Sequence, residues 1–171
     1  MPLPEKLNIL VITLSDRASR GEYQDLSGPE IKNMLTDHFS QTSWKYQVDT
    51  ILIPDDPKIL AQTISSQHAS RNIIFTTGGT GIGPRDFTIE VINPMLDKEI
   101  PGIMELIRVK YGMENPNALL SRSVAGLIND CMIFTLPGSV KAVREYMSEI
   151  IKVLEHLVYM QYGMDIHKKS R

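Results

Sequence analysis

Residues 72–86 read NIIFTTGGTGIGPRD, a short β-branched-rich run from Asn72 to Thr76 followed by Gly78, Gly79, Gly81 and Gly83 within six positions. A continuous run of this kind, closed off by glycines, reads as a strand buried on both faces. Glycines placed directly after such a strand let backbone N–H groups reach positive φ and approach an anion closely. A tight turn is the plainer alternative, but it needs one or two glycines, so four favour anion binding. The spacing is neither GxGxxG with a distal acid nor GxxxxGK[ST], which argues against a dinucleotide fingerprint and against a P-loop.

Working outward, three more runs read as buried strands: Leu7 to Leu14, Val48 to Ile53 and Met132 to Leu136. Helical punctuation lies between them. In SGPEIKNMLTDHF (27–39), Ser27 or Gly28 can cap and Pro29 occupies the first turn. In DDPKILAQTISSQ (55–67), Asp55 or Asp56 can cap, Pro57 starts the turn, and Ile59, Leu60 and Ile64 recur at helical spacing. Residues 88–112 are helical in pattern but broken by Pro94 and Pro101, and the spacing predicts a rebuilt helix from Ala118 within 114–129. The chain closes with its longest helix over 139–163, where Val143, Met147, Ile150, Leu154 and Leu157 share a face. Strands alternating with helices require crossover connections, so the expected fold is α/β: a doubly wound, three-layer α/β/α sandwich with a mainly parallel sheet. One domain is expected over 1–171, with a core at about 7–160 and a disordered tail over about 165–171, HKKSR at its end.

Composition narrows the function. Against 20 Asp+Glu stand 18 Lys+Arg, a net charge of −2 with 42% hydrophobic residues, which lacks the basic excess of a nucleic-acid binder. Cys131 is alone, so it forms neither an internal disulfide nor a thiolate metal cage, and it reads as a small core residue in a reducing compartment. The apolar stretch near the start is too short for a signal or a span of roughly 20 residues, so no membrane role and a cytoplasmic location are expected. His38, His68, His156 and His167 are scattered without ligand spacing, and no Ser-His-Asp set can be assembled.

In open α/β sheets ligands bind outside the carboxyl ends of the strands. The segments there are Ser15-Asp16-Arg17, Pro54-Asp55-Asp56, Gly78-Gly79-Thr80-Gly81 and Pro137-Gly138-Ser139. Asp55 and Asp86 flank the glycine loop, and carboxylates beside a polyphosphate suit Mg2+. Each also has a plainer role, a helix cap for Asp55 or Asp56 and an ion pair with Arg85 or a cap for Asp86. Among the nearby cations Arg17, Arg85, Arg122 and Lys141, Arg122 is the strongest candidate and Arg17 the weakest. Ser121 and Ser123 are either phosphate donors or turn caps, and Ser139 is either an anion ligand or the cap of the long helix. The residues alone therefore describe an α/β protein that binds a phosphate-bearing small molecule at a strand-end crevice, with acidic groups suited to Mg2+.

Five blocks in order, ITLSDRASRGEYQDLSGP (12–29), IPDD (53–56), TTGGTGIGPRDFTIE (76–90), PNALLSRSVAG (116–126) and LPGSVKAV (136–143), resemble the molybdopterin adenylyltransferase family of the MogA type. Its MogA/MoaB molybdopterin-binding fold is shared by the corresponding domain of gephyrin. The resemblance covers about Leu7 to Leu157. It implies a homotrimer in molybdenum cofactor biosynthesis that binds molybdopterin and MgATP, transfers AMP to the molybdopterin phosphate and releases pyrophosphate. A downstream molybdenum-insertion protein is an implied partner. By motif position, Asp55 and Asp86 resemble the two catalytic carboxylates that orient Mg2+ and the nucleotide phosphates. Gly78, Gly79, Thr80 and Gly81 resemble the phosphate loop, and Pro137, Gly138 and Ser139 a further wall near the nucleotide. Ser15 and Asp16, with Ser121 and Arg122, resemble the pterin and phosphate side. The chain departs from the family at Ile89 and Val140, where proline is usual, and in KYGMENPN before ALLSR, where plant and enterobacterial members carry a serine. Two alternatives stand beside transfer: a MoaB-like molybdopterin-binding protein with little adenylyl transfer, and a non-catalytic nucleotide-binding or scaffold module.

Overall fold

The computed structural model describes residues 2–164, so the expected disordered tail and His167 lie outside the described residues. In chain order the elements are β1 (Leu7–Leu14), α1 (Asp16–Ser19), α2 (Ser27–Phe39), β2 (Tyr46–Ile53), α3 (Pro57–Gln67), β3 (Ile73–Thr77), α4 (Thr88–Ile92), β4 (Lys98–Glu99), α5 (Pro101–Glu114), β5 (Ala125–Ile128), β6 (Cys131–Leu136) and α6 (Val140–Gln161). Short 3-10 turns lie at His68–Ser70, Asn93–Met95 and Pro116–Leu120.

The strands form one sheet in the order β2-β1-β3-β6-β5-β4, parallel from β2 to β6 and antiparallel where β5 meets β6 and β4. Central β1, β3 and β6 are buried on both faces, which is why their sequences are almost unbroken apolar runs. The expectation of full burial fails for β2. It is an edge strand, only Val48 and Ile53 are buried, and its remaining side chains alternate toward solvent.

Side-chain alternation along the strands builds two cores. Leu7, Ile9, Val11, Ile73, Phe75, Met132 and Phe134 face α2, α5 and α6, while Leu10, Ile12, Ile74 and Ile133 face α3 and α4. Phe75 and Phe134 pair in register with ring centroids 5.1 Å apart. Each such fully buried side chain contributes about 1.5–3 kcal/mol.

Two further sequence expectations are corrected. Residues 114–129 do not rebuild a helix from Ala118: a 3-10 turn ends at Leu120, and the chain then runs extended into β5. The connection from β5 to β6 is the pair Asn129-Asp130, with Asn129 at φ 50°, a left-handed position that asparagine tolerates. Gly126 belongs to this strand because a Cβ there would lie 2.4 Å from Lys98 O on β4. The second correction concerns α2, which is capped by neither Ser27 nor Gly28. Asp25 does this, with Ser27 N and Gly28 N donating to its Oδ1 at 3.0 and 3.1 Å.

After β1 the chain moves outward to β2, then returns on the other side of β1 as β3. Such a reversal opens a crevice at the carboxyl ends of the two strands. Among the described residues no helix is long and apolar enough to cross a membrane.

Candidate active site

The crevice is there, with a volume of about 510 Å³. The end of β1 contributes Thr13, Ser15, Asp16 and Arg17, and β2 contributes Asp55. From β3 and its loop come Thr77, Gly79, Arg85 and Asp86, and from β6 come Gly138 and Ser139. Tyr23 and Asp25 close it from the segment before α2.

Asp16 and Asp55 clasp each other through backbone and side chain. Asp16 N donates to Asp55 Oδ2 and Asp55 N donates to Asp16 Oδ1, both at 3.0 Å. Ser15 caps α1, accepting from Ala18 N at 3.2 Å. Of the two aspartates before α3, the cap is Asp56, which accepts from Lys58 N and Ile59 N at 2.7 and 3.1 Å. Asp55 is thereby left to the crevice.

The glycine loop is shaped by close contacts. Gly78 and Gly79 have φ of 109° and 65°. A Cβ at Gly78 would fall 2.6 Å from Leu14 O, and one at Gly79 would fall 2.5 Å from Thr88 Oγ1. Only glycine meets both demands. Thr88 anchors the turn, donating from Oγ1 to Gly78 O at 2.8 Å and from N to Gly79 O at 3.1 Å. Farther along, Gly83 N donates to Asp86 Oδ2 at 2.8 Å. Gly81 and Gly83 make room for that carboxylate, since a Cβ at either would lie within 2.7 or 2.9 Å of Oδ2. Asp86 is neither the cap of α4 nor paired with Arg85, whose Nη1 instead lies 4.0 Å from Asp16 Oδ2. Thr80 is buried behind the loop, with Oγ1 3.5 Å from Ser121 Oγ.

Thr77 Oγ1 donates to Pro137 O at 2.8 Å and Ser27 Oγ to Gly138 O at 2.6 Å, holding the β6 loop against β3 and α2. Ser139 caps α6 through Ala142 N at 3.3 Å and still borders the crevice. Ser121 Oγ lies 2.9 Å from Ser123 Oγ and lines neighbouring depressions together with Ser139 or Arg122. Arg122 stands outside the crevice. Its Nε donates to Gly81 O at 2.7 Å, its Nη2 to Asp86 O at 3.0 Å, and the guanidinium forks onto Glu90. That pair holds the Glu90 carboxyl below its usual range and raises the Arg122 guanidinium.

Among the described residues, the cations that reach the crevice are Arg17 and Arg85, so the order read from the sequence, Arg122 first and Arg17 last, is reversed by position. Arg17 sits over the Tyr23 ring at 5.5 Å from its centroid. Lys141 lies beside Glu145, away from Asp16, Asp55 and Asp86. Asp25 is the residue that sequence reasoning missed. It accepts from Thr13 Oγ1 at 2.7 Å as well as capping α2, and its signal was an aspartate two residues before Ser-Gly-Pro. Cys131 is buried, and burial pushes its thiol up to about 12.

Among the described residues, four carboxylates against two guanidiniums give the crevice lining an excess of negative charge. Among the described residues no three Asp, Glu, His or Cys side chains converge into a ready metal cage. Asp55 Oδ1 and Asp86 Oδ1 make no hydrogen bond among the described residues, while their other oxygens are held by backbone N–H groups. Two hard oxygen donors fixed this way fit an ion that takes its remaining ligands from water and a phosphate, the habit of Mg2+.

The sequence is 39% identical over 155 residues to gephyrin of Dictyostelium discoideum, matching 86% of this chain but spanning about a fifth, 21%, of that longer protein. It is 35% identical over 163 residues to the molybdopterin adenylyltransferase of Pyrococcus furiosus, covering 90% of this chain and 92% of that one. In three dimensions it superposes on the tungsten cofactor synthesizing protein MoaB from Pyrococcus furiosus with a TM-score of 0.77 and 32% identity, over 92% of this chain and 98% of that one. The sequence profile described as "Probable molybdopterin binding domain" matches residues 10–156, from β1 into α6 and across every loop of the crevice. The chain belongs to that family of molybdopterin-binding domains.

Proposed function

We propose that this chain is a molybdopterin adenylyltransferase of molybdenum cofactor biosynthesis, using ATP as co-substrate and Mg2+ as cofactor. The observation that carries the reading is the convergence of Asp16, Asp55 and Asp86 on one crevice with the glycine loop and the N-terminal turn of α6. In the reaction, an oxygen of the molybdopterin phosphate attacks the α-phosphorus of ATP. The bond from that phosphorus to the bridging oxygen breaks and pyrophosphate leaves.

Both reactants are anionic, so the protein's work is to hold them in line against their repulsion. Gly78 N is spent on Leu136 O at 3.0 Å and Pro137 has no N–H, so N–H groups of Gly79, Thr80 and Gly81 and of Gly138 and Ser139 serve the nucleotide phosphates, the latter pair with the positive end of α6 behind it. Asp55 and Asp86 would hold Mg2+ through their unpartnered carboxylate oxygens, and the ion would supply neutralisation of phosphate charge. Ser15 and Asp16 serve the molybdopterin side, with Ser121 in the depressions beside the crevice, and Arg17 and Arg85 add positive charge at the rim. No nucleophilic side chain is needed because the attacking oxygen belongs to the substrate.

Asp86→Asn tests this directly. Adenylylated molybdopterin formed from ATP by the purified chain is expected to fall by about 10²–10³-fold. Unchanged product formation removes Asp86 from the mechanism, and a wild-type chain that binds molybdopterin without ATP-dependent product is the MoaB-like alternative.

A further inference from the structure

We propose that Arg122 is a positioning residue rather than a substrate ligand, and that with Glu90 it holds the Thr80–Asp86 loop closed so that Asp86 stays aimed into the crevice. The proposal rests on the adenylyl-transfer reading only for the consequence of misplacing Asp86. The geometry itself is independent of any substrate.

Arg122 touches the loop at three points. Its backbone N donates to Thr80 O at 2.9 Å, its Nε to Gly81 O at 2.7 Å and its Nη2 to Asp86 O at 3.0 Å. Two of these bonds come from the same planar group and join the beginning of the loop to its end across five residue steps. The two nitrogens Nη1 and Nη2 also donate to the carboxylate of Glu90 on α4, so the fork is fixed in orientation by a helix that begins just after the loop. Inside the loop, the Asp86 carboxylate accepts from Gly83 N at 2.8 Å and packs where Cβ atoms of Gly81 and Gly83 would be. Such a curl places one carboxylate oxygen against the loop and leaves the other free. Among the described residues no other side chain from outside joins two points of this loop: Ser121 meets it only at Thr80, Asp16 only at Arg85, and Thr88 ties down Gly78 and Gly79, which lie before it.

A substrate contact demands unspent donors facing the crevice. Four of the five guanidinium N–H groups of Arg122 are engaged with Gly81, Asp86 and Glu90, and the side chain, with its one remaining Nη1 N–H, does not line the crevice that Asp16, Asp55 and Asp86 share. Lysine cannot replace it, because a single ammonium cannot span both carbonyls and fork onto a carboxylate.

The test uses the full chain and the variants Arg122→Gln, Arg122→Lys and Glu90→Gln. Amide hydrogen exchange of residues 81–86, measured without substrate, is expected to speed up about tenfold in all three while exchange in β1 and β3 is unchanged. Where ATP-dependent product forms, kcat is expected to fall about 10- to 100-fold with molybdopterin Kd little altered, as for other groups that orient a ligand from behind. In an Asp86→Asn background, Arg122→Gln should add almost nothing. Tight loop exchange in the variants, together with an Arg122→Gln protein that loses molybdopterin binding while Glu90→Gln behaves as wild type, overturns the proposal and makes Arg122 a ligand. If Arg122→Gln does not fold, Glu90→Gln decides by loop exchange alone. A wild-type chain with no transferase activity overturns the preceding function and leaves the exchange test standing.

Discussion

The carboxylate of Asp56 accepts from Lys58 N and Ile59 N at the start of α3, whereas that of Asp55, one residue earlier, turns across the crevice to Asp16 N. The two side chains are chemically identical and serve different scales of the molecule. Asp56→Ala removes a helix cap and is expected to lower stability by about 1 kcal/mol in urea unfolding, with turnover unchanged. Asp55→Asn keeps an oxygen for Asp16 N but loses its charge, so kcat is expected to fall by about 10²–10³-fold with little change in the urea midpoint. The opposite pairing of effects assigns the cap and the site to the wrong residues.

At the level of elements, α5 and α6 are joined by a carboxylate that is mostly out of water. Glu149 is 8% exposed and accepts from Lys110 Nζ at 2.6 Å and Lys152 Nζ at 2.8 Å. The two ammonium groups, Lys110 first, bring its carboxyl down from 4.5 to about 2. A carboxyl depressed in the folded state stabilises fully above its unfolded value, and that stability is lost as pH falls from 4.5 toward 2. Both lysines remain well exposed, so the effect is about 1–2 kcal/mol. Glu149→Gln is expected to be less stable at neutral pH and to show a flatter loss of stability through that acid window when urea melts are compared. A steeper acid limb in the variant contradicts the assignment.

Elements differ in how far their own residues announce them. The β1, β3 and β6 runs are legible because both faces are buried, and Pro29 and Pro57 mark the first turns of two helices, whereas Pro101, read from the sequence only as a break, opens α5. The β5 strand was not legible. Ala125 to Ile128 is only four residues long and does not alternate, and what decides its conformation is pairing with β6 across Asn129-Asp130, a contact that helical spacing does not see. The crevice was legible as a set of strand-end loops, because topology alone brings such loops together. The side of the glycine loop on which the Arg122 guanidinium lies depends on the chain direction after β4, so its separation from the crevice could be found only in three dimensions.

For the whole molecule, the homotrimer that the family resemblance implies is an expectation that light scattering can check: a mass close to three times the 19.3 kDa chain at micromolar concentration. A mass equal to one chain removes the trimer from the reading. The sole cysteine has a different consequence. Cys131 is 0% exposed at the start of β6 and its thiol is raised to about 12, so maleimides and similar reagents should pass the native fold by. The unaltered chain is thus a silent background for site-directed labelling. A thiol introduced at Met113, 85% exposed on α5, becomes the single point at which a fluorophore or spin label attaches, without first removing a native cysteine.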